Sequence, residues 1–382
     1  MILARVISVI AKPAVATGTA AAIAGGGWFA IDRINNQQPT PFQQAQSQGQ
    51  QLIIAEFGER ADRIVAVDPE DVAGGRRTLA TVDHAPGWGA FATLSPDGSA
   101  IAYTALPADT ADPAADAPAV AGVIEDDGDV SLLADDADLL IAPVWAPDSQ
   151  SIVVRKNTPA ENSAGTFELL LLGRDGSRAT VTTWATAAVF PIAFAPDGSR
   201  IYFATLSSSG TDLYSIAPDG TGEALVAHLS NGIARDWKLS PDGATLAYSV
   251  ARTGPEPAIV AMTLDVATGT AGEAVVAGRA GRAEYNPEWS PGGELTIGSV
   301  DREGGGARAV DADGTARAVT QQADGIDLPL GWSPDGSTLA VRAIEGVTPI
   351  DAGQSHVELV DEDGSRERVS DSSDVLIVGW LE

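Results

Sequence analysis

The chain has 382 residues, is 44% hydrophobic, and carries 52 acidic against 23 basic side chains, a formal net charge of −29. Without a single cysteine, disulfides and thiolate metal sites are excluded. So acidic a surface repels nucleic acid and anionic lipid and favours cationic partners, although charge balance by itself speaks to solubility and association rather than to a site.

Met1 to Lys12 is apolar with Arg5 and Lys12 as its cations, and Pro13 to Ile31 follows as 19 uncharged residues ending near Trp28-Phe29. At about 1.5 Å per residue this stretch matches a hydrocarbon core, and the basic flank before it implies an N-in, C-out membrane helix. Ala22-Ile23-Ala24 would alternatively serve as a signal-peptidase site and leave a secreted or periplasmic protein. Residues 32–50 hold seven glutamines with Pro39 and Pro41, a composition expected of a flexible tether.

From residue 51 onward the chain is repetitive. Six copies of one phrase occur: Leu94-Ser95-Pro96-Asp97-Gly98, Trp145-Ala146-Pro147-Asp148-Ser149, Phe194-Ala195-Pro196-Asp197-Gly198, Leu239-Ser240-Pro241-Asp242-Gly243, Trp289-Ser290-Pro291-Gly292-Gly293 and Trp332-Ser333-Pro334-Asp335-Gly336. Their prolines lie 51, 49, 45, 50 and 43 residues apart. Pro presets φ for a type I turn and Gly supplies φ > 0 after it, so each phrase closes a hairpin. Alternating apolar residues flank it, as in Ala92/Leu94 and Ile101/Tyr103, which is strand periodicity. Two further strands follow in each unit, joined by Asp-Gly turns such as Asp127-Gly128, Asp175-Gly176 and Asp219-Gly220. We label the strands a to d, the Pro turn lying between a and b and the Asp-Gly turn between c and d.

A period of this length built from four strands predicts an all-β fold, a β-propeller of four-stranded blades. Residues 51–82 supply b, c and d without an a, whereas Leu376 to Leu381 supply an a alone, with Trp380 in the place of Trp332. Together they make a seventh, closing blade shared by the two termini, which would remove free sheet edges. The competing reading is six blades with frayed terminal strands. The expected organisation is an anchor or signal segment over 1–31, a linker over 32–50 and a propeller over 51–382.

The phrase resembles the WD-like repeat of TolB-like proteins of the bacterial envelope and of the propellers of prolyl-oligopeptidase-type peptidases, and the resemblance covers 51–382. TolB-type proteins are similar to a six-bladed propeller preceded by a small α/β domain, for which 32–50 offers no room; the peptidases carry a separate hydrolase domain. The resemblance implies a propeller that binds a protein or peptide ligand of the cell envelope, as a monomer and with no cofactor.

Recognised catalytic motifs are absent: there is no Gly-x-Ser-x-Gly elbow, and His84, His228 and His356 show no zinc-protease spacing. Asp311-Ala312-Asp313-Gly314 and Asp361-Glu362-Asp363-Gly364 resemble the start of a calcium loop, but Ala309 and Leu359 stand where a ligand is needed. A divalent cation therefore remains only a general expectation of the acidic surface. In a four-stranded blade the a–b and c–d turns share one face and the b–c and d–a loops the other. The second face is the variable one, with long loops expected at 106–118, 155–166 and 343–354. It gathers His84, Trp88, Trp184, Arg235 and Arg282, our candidate binding residues, with Arg279 nearby; loops on a rigid scaffold are the usual seat of function. The alternative is a propeller-type enzyme, a lactonase or sugar dehydrogenase with a metal or quinone in the central channel.

Overall fold

A computed structural model describes residues 39–382 apart from 161–162, 252–256, 266–267, 279–281, 302–303, 311–315, 321–324, 347–352 and 372–373. It forms seven four-stranded antiparallel sheets. Blade 1 comprises Phe91–Leu94, Ala100–Ala105, Pro118–Glu125 and Val130–Asp138; blades 2 to 6 follow in chain order with strands a beginning at Val144, Ala188, Ala234, Ala283 and Ile326. Blade 7 is the shared one. Val375–Leu381 is its strand a, and Gln51–Glu56, Ala61–Val67 and Arg76–Asp83 are b, c and d.

The closing seam is a true ladder: Leu52 opposes Trp380, Ile54 opposes Ile377 and Glu56 opposes Val375. Neighbouring strands a touch one another from blade to blade, which puts a on the inside of the ring and d on its rim. The Ser-Pro-Asp-Gly hairpins have the expected chemistry. Gly98 N donates to Ser95 O at 2.9 Å, with Gly98 at φ 68°, and Ala100 N donates to Ser95 Oγ at 2.9 Å. Tryptophans at the end of strand a reach back to the preceding blade: the Trp145, Trp289 and Trp332 indole N–H groups donate to Thr93 O, Lys238 O and Thr296 Oγ1 at 3.1, 3.0 and 3.0 Å. They pack blade against blade.

Two local expectations change. The glutamine-rich segment is not solvated throughout, because Pro41–Gln46 form a helical turn whose Thr40 and Gln43 make a reciprocal capping box. Phe42 and Ala45 are buried among Ile53, Ile101, Leu381 and their neighbours at the seam of blades 7 and 1. The turn is tied down by Gln46 Nε2 donating to Gly98 O at 2.8 Å and by Thr40 Oγ1 donating to Asp126 O. The expected loop at 155–166 is instead a long hairpin, Ser151–Ala160 with Ser163–Gly173, in which Lys156 opposes Glu168 and Thr158 opposes Thr166. An ion pair of Lys156 with Glu168 at 3.1 Å and β-branched threonines favour pairing there.

The expected span 13–31 and the rest of 1–38 lie outside the described residues, and among the described residues no helix is long and apolar enough to cross a membrane.

Candidate binding face

The candidate residues all sit near the b–c and d–a end of the ring, but their side chains do different things. His84 follows strand d of blade 7 and has no accessible surface. Its Nε2 lies 2.9 Å from Asp62 Oδ1, and its Nδ1 lies 2.9 Å from Ala85 O. Asp62, equally buried, also accepts from Gly58 N at 3.0 Å and Ala90 N at 2.6 Å. Two acceptors facing both ring nitrogens are satisfied together only by the imidazolium. Burial opposes that charge, but the Asp62 and Ala85 bonds outweigh it and raise the pKa above 6.5. His84 is thus a pin that closes the b–c and d–a loops over each other.

Trp184, at the end of strand d of blade 2, lies edge-on to Tyr214 at 5.0 Å and to Phe203 at 6.3 Å. It belongs to the packing of blades 2 and 3. Trp88 lies over a small apolar cluster of Ala85, Leu106, Ala119 and Leu139 and keeps part of its surface. Arg282 donates through Nε to Ser299 Oγ at 2.8 Å and through Nη2 to Ser299 O at 3.2 Å, also with part of its surface open. Arg235 is the exposed one: 45% of its side chain meets solvent, and it lies 3.4 Å from Asp236. Arg279 lies outside the described residues. The accessible groups of this face are Trp88, at the crossing from blade 7 to blade 1, and Arg235 and Arg282, at the entries to blades 4 and 5, while His84 and Trp184 hold the scaffold beneath it.

The other histidines are paired as well. His228 lies within strand d of blade 3, its Nδ1 2.6 Å from Asp212 Oδ1, and that carboxylate raises its pKa. His356 Nε2 is 2.7 Å from Glu358 Oε1 in blade 6. Among the described residues no three His, Asp or Glu converge as metal ligands. Asp363 accepts Ser365 N at 2.8 Å as a hairpin turn does; Asp311 and Asp313 fall outside the described residues.

Sequence reasoning passed over two groups. Arg155 is 6% exposed and bonds Asp138 Oδ2 through Nε and Nη2 at 2.9 and 2.7 Å, and Val189 O through Nη1 at 3.2 Å. It lies 5.4 and 4.7 Å from the ring centres of Phe167 and Phe190, so one guanidinium ties blades 1, 2 and 3. The second group, Asp236, Lys238 and Glu288, lies on the inner strands a of blades 4 and 5. Its signal was charge on strands a, which elsewhere are nearly uncharged.

No family model matches the chain. The curated Protein TolB homolog of Chlorobium luteolum is 31% identical over 144 residues, 37% of this chain and 31% of its own, so the chain spans about a third of that relative's length. A periplasmic gluconolactonase of Pseudomonas aeruginosa superposes with a TM-score of 0.59 at 16% identity, over 87% of this chain and 99% of its own. A prolyl endopeptidase superposes at 0.57 with 15% identity, over 86% and 50%. At such identities the superpositions speak to the fold alone. The sequence match agrees with the motif resemblance: the chain carries a TolB-like propeller, with seven blades where the resemblance implied six.

Proposed function

We propose that the ring is an extracytoplasmic binding propeller of the cell envelope, held through its N-terminal segment, that receives a protein or peptide on the face of the b–c and d–a loops. The observation that carries this reading is the difference between the two faces. The Pro turns repeat one backbone hydrogen bond from blade to blade, from Gly98 N to Ser95 O through to Gly336 N to Ser333 O, and the Asp-Gly turns at Gly128, Gly176, Gly220 and Gly364 close in the same way, so they offer no unique surface. The opposite face has loops of unequal length and sets the exposed Arg235 at the start of a strand a and the partly exposed Trp88 and Arg282 on crossings between blades, and Trp and Arg are the residue types that anchor interfaces. The TolB-like match supports the envelope setting, and the basic flank before residues 13–31 supports an N-in orientation.

Affinity capture from an envelope extract, using the full chain as bait, tests it. Trp88→Ala, Arg235→Ala and Arg282→Ala should each weaken capture of the recovered partner by about 1–3 kcal/mol, whereas Asp97→Ala and Asp335→Ala should leave it intact. Loss confined to the turn variants would place docking on the wrong face. In spheroplasts, added protease should release the ring; protection until the membrane is lysed would contradict the orientation.

A further inference from the structure

Strands a of blades 1, 2, 3 and 7 carry no charged side chain. Asp327 of blade 6 has no accessible surface and is held by Arg366 at 2.8 Å, and Glu284 of blade 5 is 1% exposed. The charges of strands a that solvent reaches are therefore confined to adjacent blades 4 and 5: Arg235, Asp236, Lys238 and Glu288. Lys238 Nζ lies 2.7 Å from Glu288 Oε1, with 46% and 14% of the two side chains exposed.

The backbone is shaped to present them. Arg235 opposes Ser249 while Lys238 opposes Ala247, so a bulge sets two cations that are three apart in sequence only two rungs apart on the ladder. They share one face of the sheet, about 7 Å apart at the backbone. Blade 5 repeats the device, Tyr285 opposing Gly298 and Glu288 opposing Thr296. The bulged residues Asp236 and Asn286 hold φ at 55° and 47°. Among the described residues the remaining positive-φ non-glycine is Ser149, which stands in a turn where the other copies have Gly. Left-handed backbone at two matching positions is the kind of strain retained where a site's geometry needs it.

Burial pushes the Asp236 carboxyl up, against the pull of Arg235 and Lys238, although 39% of the side chain is open to solvent. All four residues stand on strands a, the innermost strands of their blades, and keep part of their surface open to solvent. Burial likewise raises Glu288, and the Glu288 carboxylate raises Lys238.

We propose that this quartet is a subsite for a small zwitterion of amino-acid size, its carboxylate taken between Arg235 and Lys238 and its ammonium by Asp236 and Glu288. The signs alternate through the quartet. A bare anion would have to enter a protein of net charge −29, and a bare cation would have to take Glu288 from Lys238 while leaving that ammonium unpaired. A zwitterion supplies a new partner of each sign and leaves the charge of the site unchanged. Arg235 is shared with the proposed docking face, but Lys238 and Glu288 are not, so variants of that pair test this site apart from docking.

Ligand-observed saturation-transfer NMR on the full chain tests this with three probes: glycine, acetate and methylammonium. Glycine should bind saturably, and acetate and methylammonium at least tenfold more weakly. The double variant Lys238→Glu/Glu288→Lys keeps the pair but breaks the alternation, and should lose glycine binding tenfold or more at an unchanged melting temperature. If that variant melts lower, the neutral pair Lys238→Gln/Glu288→Gln takes its place with the same expected loss. Acetate binding as well as glycine, no saturable glycine binding in the millimolar range, or full glycine binding by the folded variant would each overturn the proposal.

Discussion

Leu381 is the last residue but one, where an unpaired terminus would fray and tolerate any substitution. Here it has no accessible surface, opposes Gln51 across the closing ladder and packs with Phe42, Ile53 and Ile101. Leu381→Ala removes roughly three methylene equivalents at about 0.8 kcal/mol each, and the space left behind adds to this, so the cost should be about 3–4 kcal/mol. That is a large share of the ~5–15 kcal/mol by which domains are stable. With an unfolding entropy of about 2.1 cal/mol/K per residue over a ring of roughly 330 residues, the melting temperature should fall by about 4–6 °C. Urea unfolding followed by tryptophan fluorescence reads the change, with neighbouring Trp380 as a reporter. Val130→Ala, at a side chain 55% exposed on the rim, is the control. If Leu381→Ala stays within ~0.5 kcal/mol of the parent, as ordinary surface changes do, the termini are not paired and the ring is not closed in this way.

Phe42→Ala should cost about 3–5 kcal/mol in the same assay, since it removes a buried ring; no loss would return residues 41–46 to a solvated tether. The His84 pin stabilises fully below about 6.5, the ordinary histidine value, and its contribution is lost as pH rises through the higher pKa of the folded state. The stability gap between the parent and His84→Gln should therefore narrow as urea titrations move from mildly acidic to alkaline pH, and a gap that widened would refute the charged ring. Asp335 behaves oppositely: the Ser337 N–H and the Ser333 and Ser337 hydroxyls lower its pKa from 3.8 to about 2, so its contribution is present above 3.8 and lost as pH falls toward 2. Asp335→Asn should flatten the acid limb of the stability curve in that window. Arg155→Met strands the Asp138 carboxylate in the interior and should cost about 3–5 kcal/mol. Arg155→Lys should recover only part, because an ammonium cannot lie flat against two rings; full recovery would show that charge alone matters there.

The blade plan was legible because the turn chemistry is local. Ser-Pro-Asp-Gly needs only its own four residues to dictate a hairpin, and the orphan strand Leu376 to Leu381 matched the missing a of residues 51–82. What escaped notice depends on contacts distant in sequence. The glutamines of residues 32–50 pointed to a tether, although Thr40, Pro41 and Gln43 already spelled a helix start. The face holding His84, Trp88, Trp184, Arg235 and Arg282 could be inferred from strand order, but side-chain direction could not: nothing near His84 announces a carboxylate at Asp62, and nothing near Trp184 announces Tyr214. Simple alternation would put Arg235 and Lys238 on opposite faces of strand a in blade 4; the bulge at Asp236 shifts the register and brings them to the same side.

The helical turn at Pro41–Gln46 also gives the ring a polarity. By holding Gly98 and the carbonyl of Asp126 it sets Thr40 on the side of the short turns, beside blade 1. The variable b–c and d–a loops belong to the far side. Attachment through the N-terminal segment, as proposed above, would therefore meet the ring on its uniform side and leave the variable loops opposite.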